Sequence, residues 1–156
     1  KLDLKTFNIE VTIKELTSKA AYLENIEIVI SSNIKTKEVE ADQILIEVMI
    51  KNVLENASRF TSPEDSRIEI NLEEIDPDSM KLSVRDYGPG FNEDDLEKVT
   101  EPFFRTGQSR SRKSGGFGLG LYLSKQIITA HSGTIQIKNH SQQGAVVDLI
   151  LPIKQK

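Results

Sequence analysis

The chain has no cysteine among its 156 residues, which excludes a disulfide framework, a thiol nucleophile and a thiolate metal site. The absence fits a reducing compartment. It has no apolar run near the roughly 18 residues of a membrane-spanning helix, and no secretory signal pattern. It also lacks an excess of positive charge. Twenty Lys and Arg against 24 Asp and Glu leave a formal net charge of -4, which argues against general electrostatic binding to nucleic acid or an anionic lipid surface. There is no internal repeat and no low-complexity tract. The chain begins at Lys1 rather than at methionine, and the expectation is a fragment of something longer.

What is present is ordinary in bulk. Hydrophobic residues make up 37% and charged residues 28%, the proportions of a soluble globule long enough to bury a real core. A single domain over residues 1–156 is expected.

Periodicity supplies the elements. Ile9, Ile13, Leu16, Ala20 and Leu23 recur at helical spacing, and Ile26, Ile28 and Ile30 alternate as in a half-buried strand. Residues 33–41 are polar, with room for a short strand. Asp42 is a candidate N-cap for a long helix to about Phe60, ended by Ser62-Pro63. Alternating runs at Ile68-Ile70-Leu72 and Leu82-Val84, joined by a turn at Asp76-Pro77-Asp78, predict neighbouring antiparallel strands. Residues 86–117 read mostly as loop with a short helix signal over 93–99, and a loop of that length inside a compact domain is usually functional or disordered. A helix over Gly118 to Ala130 and strands at Thr134 to Lys138 and Val146 to Leu151 complete the chain. That order predicts helices on one face of a single sheet, a two-layer α/β sandwich.

Four short motifs fall in a fixed order between these elements: NVLEN (52–56), DYGPG (86–90), EPFFR (101–105) and GGFGLGL (115–121). Asn52, Asn56 and Arg59, spaced i, i+4, i+7, share one narrow stripe of the long helix. Their amide oxygens suit Mg²⁺, which takes few protein ligands, and the guanidinium suits phosphate. The plainer reading is a solvated polar face. Asp86 ends a strand beside a Gly-Pro-Gly turn, where a carboxylate can accept from an exocyclic amine such as that of adenine; the plainer reading is a turn aspartate. Gly115, Gly116, Gly118 and Gly120 lead into a helix whose first N–H groups can take an anion, or they form a hinge. The spacing is neither that of a dinucleotide fingerprint nor that of a P-loop. Phe103, Phe104 and Arg105, with Arg110, Arg112 and Lys113 beyond them, look like a basic lid anchored on the domain body by its two phenylalanines.

Taken together, the motifs resemble those of the catalytic ATP-binding domain of bacterial two-component sensor histidine kinases. These kinases belong to the wider group of gyrase, heat-shock chaperone, histidine kinase and mismatch-repair ATPases. NVLENASRFT resembles the N box, DYGPG the G1 box, EPFFR the F box and GGFGLGL the G2 box, and AHSGTI (130–135) resembles the family's closing stretch. The similarity covers essentially the whole chain. It implies an α+β fold in which a mixed, mostly antiparallel sheet is covered on one face by three main helices, with an ATP lid over residues 104–116. It implies ATP and Mg²⁺ as cofactors, with Asn52 and Asn56 at the metal and phosphates beside Arg59 and Phe60, and Asp86 on the adenine amino group against a wall shaped by Gly88 and Gly90. Gly116, Gly118 and Gly120 would lie along the phosphates, together with Phe104, Arg105, Phe117, Leu119 and Leu121. Arg59-Phe60 stands where the family often has Lys-Tyr. Gly144-Ala145-Val146 lacks a threonine often found there.

The resemblance also implies what acts with this domain. Water-activating relatives tend to carry glutamate where this chain has Asn52, so phosphoryl transfer to another nucleophile is favoured over hydrolysis. Glu55 lies about 100° round the helix and is a poor substitute base. Neither His131 nor His140 sits in an acceptor-like helix; His131 reads as a helix-end residue meeting terminal carbonyls. The expected partners are therefore a separate dimerising phosphoacceptor hairpin and a response-regulator receiver domain, without nucleic acid. The isolated domain is expected to be a monomer inactive in transfer, and the parent a homodimer, a cytoplasmic domain of which hangs from an inner-membrane sensor. The rivals are a related ATPase whose lid drives conformational change and a regulatory domain that binds nucleotide or partners without transfer.

Overall fold

The computed structural model describes residues 1–104 and 119–155. Its elements run β1 (Leu4–Asn8), α1 (Ile9–Lys19), a 3-10 turn (Ala21–Leu23), β2 (Glu27–Ser32), β3 (Glu38–Asp42), α2 (Gln43–Phe60), β4 (Arg67–Asp76) and β5 (Ser79–Asp86). They continue with a second 3-10 turn (Glu93–Asp95), α3 (Gly120–Ala130), β6 (Thr134–Asn139) and β7 (Ala145–Pro152). Five strands form one sheet in the order β2-β4-β5-β7-β6; only the β2–β4 pair is parallel. Helices cover one face of it, as expected.

The expectation of a single sheet needs correction. β1 and β3 pair antiparallel in a separate two-stranded sheet, with Phe7 opposite Val39. β1 escaped the sequence reading because only Phe7 is buried in it, so no alternation shows. The first helix also stops earlier than its apolar spacing suggests: α1 ends at Lys19, Ala20 caps it, and Leu23 is buried at the end of the following 3-10 turn. The helix signal over 93–99 resolves into the 3-10 turn at Glu93–Asp95 alone.

Helix α2 forms where the sequence places it. Asp42 caps it by accepting from the Leu45 N–H at 3.2 Å, and Arg59 in its last turn complements the carbonyl end. Ile46, Met49, Ile50, Val53, Leu54 and Ala57 are buried on the sheet, and each large apolar side chain so buried is worth about 1.5–3 kcal/mol. On β4 and β5 strand parity sends Ile68, Ile70 and Leu72, and Met80, Leu82 and Val84, to that core. The same parity carries Asp86 inward at the end of β5.

Helix α3 packs closely beside α2 because small residues lie between them. Ser124, fully buried, donates to the Met49 carbonyl at 3.3 Å and to the Gly120 carbonyl at 3.0 Å. His131, also fully buried, closes α3. Its Nδ1 donates to the Ile127 carbonyl at 2.8 Å, and its Nε2 accepts the Asp42 N–H at 3.0 Å. One neutral imidazole thus ties the end of α3 to the start of α2, and the helix-end role expected of it is what its ring makes.

Candidate functional site

Asp86 is a carboxylate with 3% exposure. Its Oδ1 accepts two backbone N–H groups, from Gly88 at 2.9 Å and from Ala145 at 3.3 Å. Burial pushes its carboxyl above the ordinary value, against the pull of those two N–H donors and of the Arg85 charge. Among the described residues Oδ2 makes no hydrogen bond, so with Oδ1 fixed the other oxygen is left as an acceptor at the strand end.

The turn after Asp86 is wedged against the end of α2. A Cβ built on Gly88 would lie 1.6 Å from the Phe60 carbonyl oxygen, so glycine is required there by contact rather than by torsion. Gly90, by contrast, has φ +77°, a conformation that favours glycine. Phe91 packs edge-on against Phe60 with ring centroids 5.5 Å apart.

From Phe60 the stripe of α2 runs back through Asn56 and Asn52. At 1.5 Å per residue these stand about 6 Å and about 12 Å along the axis from Phe60. At the far end, Gly120 packs on Asn52: a Cβ on Gly120 would lie 3.7 Å from the Asn52 Cβ. The first turn of α3 therefore opens beside the asparagine stripe, at the opposite end from Asp86. Asn52 is partly buried, and its Nδ2, fully shielded, has no hydrogen-bond partner among the described residues. A buried donor left this way costs about 1–3 kcal/mol. An amide that forgoes a bond beside a helix N-terminus fits a ligand oxygen.

The structure brings some of the expected residues together and separates others. Asn52, Asn56, Phe60, Asp86, Gly88 and Gly120 line up along one path. Gly90 flanks it. Leu121 instead turns into the core with 7% exposure, and Leu119 precedes the first turn of α3, accepting the Leu123 N–H at 2.8 Å. Arg59 lies over the outer face of α2, 3.9 Å from Glu55, which also faces Lys51 at 3.8 Å. Glu55 thus points away from the asparagines, towards Tyr22 and a groove between α1 and α2. Of the two phenylalanines expected to anchor the lid, only Phe104 packs on the core. Phe103 is 70% exposed with φ 66°. Arg105, Arg110, Arg112, Lys113, Gly115, Gly116, Phe117 and Gly118 lie outside the described residues.

Sequence reasoning missed the far wall. Asn139 on β6 binds the backbone of Phe91 twice, accepting its N–H and donating to its carbonyl, each at 2.8 Å. Gln143 donates to the Tyr87 carbonyl at 2.6 Å. Gly144, φ +87°, lets the β6–β7 turn touch the backbone of Asp86, where a Cβ would lie 1.8 Å from the Asp86 carbonyl oxygen. Only Gly144 carried a signal, as a glycine in a hairpin turn. Tyr87 swings to the open face of the sheet. There Arg67 and Arg85 stack on its two sides at 3.9 and 4.0 Å, and its hydroxyl donates to Glu69. No group of three or more His, Cys, Asp or Glu is placed to hold a metal ion among the described residues. Any cation here would depend on amide and ligand oxygens.

Known proteins resemble this chain in sequence and in fold. Residues 41–155 match the family model described as histidine kinase-, DNA gyrase B- and HSP90-like ATPase. The sensor protein CiaH of Streptococcus pneumoniae is 32% identical over 118 residues, 76% of this chain and 26% of that protein. The sensor histidine kinase WalK of Bacillus subtilis is 34% identical over 119 residues, 76% of this chain and 19% of that one. The chain thus spans about a quarter or less of the length of these relatives. Among solved structures, the catalytic domain of the histidine kinase ThkA is similar with a TM-score of 0.82 and 28% identity, covering 98% of this chain and 99% of that one.

Proposed function

Because the chain belongs to the histidine kinase-, DNA gyrase B- and HSP90-like ATPase family, we propose that it binds Mg-ATP and passes the γ-phosphoryl group to a histidine on a separate phosphoacceptor hairpin. It would do so as the catalytic domain of a two-component sensor kinase, its relatives CiaH and WalK being sensor proteins. A response-regulator aspartate would be the next acceptor. The parent would be a dimeric sensor in the inner membrane with this domain in the cytoplasm; no helix among the described residues is long and apolar enough to cross a membrane.

The observation that carries the proposal is Asn52. Its Nδ2 lacks a partner among the described residues, and it stands beside Gly120 in the first turn of α3. Phosphate oxygens would satisfy both the amide and the helix N–H groups. The amide oxygens of Asn52 and Asn56 would hold Mg²⁺, which when bound neutralises charge on the transferring phosphates. At the other end Asp86 would accept the adenine amino group through Oδ2, its position set by the two N–H groups on Oδ1.

The site also favours transfer over hydrolysis. An amide does not take up a proton at neutral pH, so Asn52 activates no water. Glu55, the nearest carboxylate along α2, faces Lys51 and Arg59 instead. Positioning and charge neutralisation are what remain, and they suffice for phosphoryl transfer to an acceptor that is already a nucleophile.

The test is calorimetric titration of ADP and a non-hydrolysable ATP analogue with and without Mg²⁺, into the native chain and Asn52→Ala. Labelled ATP is then supplied together with an acceptor hairpin. Mg²⁺-dependent binding weakened by the substitution, with label moving to the hairpin, is expected. Steady phosphate release without an acceptor would place the chain with the water-activating ATPases, and no binding at all would leave a partner-binding relative.

A further inference from the structure

The β6–β7 hairpin holds the whole loop 86–91 from behind, through four independent contacts. Ala145 donates its N–H to the Asp86 Oδ1 at 3.3 Å, and Gly144 lies flat on the Asp86–Tyr87 backbone. Gln143 donates to the Tyr87 carbonyl at 2.6 Å, while its own carbonyl accepts the Arg85 guanidinium through Nε at 3.2 Å and Nη2 at 3.0 Å. Asn139 supplies the fourth contact, and it is made entirely by a side chain. Its amide reproduces the pairing of one strand residue with another, one bond in and one bond out, at Phe91. It also abuts Gly90, where an added Cβ would come within 2.7 Å of the Asn139 oxygen.

That end of the loop also meets helix α2. Phe91 packs on Phe60, the residue whose carbonyl backs Gly88. The loop is therefore gripped between the end of α2 and the amide of Asn139. A ring-to-ring contact sets distance and leaves the backbone free to roll, whereas two hydrogen bonds, one to each peptide flanking the Phe91 Cα, fix how that residue is turned. Phe91 and Gly90 close the turn that begins at Asp86, so Asn139 fixes the far end of that turn.

On the reading of Asp86 as the base-recognising group, we infer that Asn139 is a positioning residue for the nucleotide's base. It acts through Phe91 and Gly90 on the free Oδ2 of Asp86 and touches no part of the nucleotide. Its effect is on selection at the six-position of the purine, where adenine offers an amine and guanine an oxygen. The phosphate end, two helix turns away at Asn52, is independent of it.

The experiment compares ADP and GDP affinities, by calorimetry, for the native chain, Asn139→Ala, Asp86→Asn and the double variant, with thermal melts of each. The expected result is a loss of ADP affinity of roughly three- to tenfold in Asn139→Ala, the worth of one or two lost hydrogen bonds. The preference for ADP over GDP should shrink by the same factor, a change that a general loss of folded protein does not produce. In the Asp86→Asn background the same substitution should add nothing further. Asn139→Asp keeps the acceptor for the Phe91 N–H and loses the donor, so it should fall between native and alanine; it decides the matter if the alanine variant does not fold. Unchanged ADP affinity, or a loss that persists at full size in the Asp86→Asn background, overturns the inference while leaving the nucleotide reading intact. Failure of the native chain to bind ADP sinks both.

Discussion

Replacing Asp86 by asparagine should make the protein more stable and a worse nucleotide binder. The two backbone N–H groups of Gly88 and Ala145 both point at Oδ1, and an amide oxygen can accept them too, less strongly than a carboxylate; burial is the larger influence on this group. What the substitution removes is one buried negative charge. Burial raises the folded-state pKa of this carboxyl above its unfolded value, so the folded chain holds the proton more tightly than the unfolded one. The ionised group therefore subtracts stability at neutral pH, and the subtraction develops as pH rises from the unfolded pKa through the folded one. Relief on the scale of other stabilising changes at functional sites, about 1 kcal/mol, would raise Tm by about 2–4 °C in a chain of this size. Binding moves the other way. The carboxylate Oδ2 becomes an NH₂ facing another NH₂, and loss of a hydrogen bond to a charged group, about 1.5–3 kcal/mol, weakens ADP roughly ten- to a hundredfold. A thermal melt at pH 7.5 without nucleotide and an ADP titration read the two effects on the same samples. A variant that melts lower than native, or binds ADP as tightly, would refute the assignment of Asp86 as a strained functional charge.

Three further outcomes are expected. ADP affinity should fall as pH is lowered, beginning above the ordinary carboxylate range because Asp86 protonates early, and calorimetry from pH 8 to pH 5 should show no such slope in Asp86→Asn. Gly88→Ala places a methyl 1.6 Å from the Phe60 carbonyl oxygen, forcing the turn off α2; a cost of about 3 kcal/mol together with loss of ADP binding is expected, and a native melt would show the contact to be soft. His131→Ala strands the Asp42 N–H and leaves a void between α2 and α3. It should cost about 3 kcal/mol, or roughly 6–12 °C in Tm, with Asp42→Ala losing only about 1 kcal/mol through its cap.

Much of this molecule is local in origin. The cap at Asp42, the apolar stripe of α2 and the alternation of β4 and β5 are short-range patterns, and each element formed where its pattern lies. Parity alone puts Asp86 on the buried side of β5, and helical spacing alone puts Asn52 and Asn56 on one stripe. Arg59 shows where such arithmetic stops. Its Cα follows the stripe, but a long side chain goes where charge calls it, and Glu55 on the same helix was available at 3.9 Å. Phe103 likewise differs from Phe104 in nothing the sequence shows; backbone geometry at φ 66° turned it outward.

The sequence by itself determined the element order, the family of motifs and the axial order of the candidate nucleotide-contacting groups, because each depends on residues within a few positions of one another. Tertiary structure alone decided what meets across the sheet and between helices. Strand β1 exists because β3 completes its hydrogen bonds. His131 matters because 89 residues earlier Asp42 needs an acceptor for its N–H. Asn139 reaches Phe91 across 48 residues because β7 sets β6 one strand away from β5. Such partners share no local periodicity, since hydrogen bonds between distant segments are chosen only once hydrophobic burial has brought the segments together.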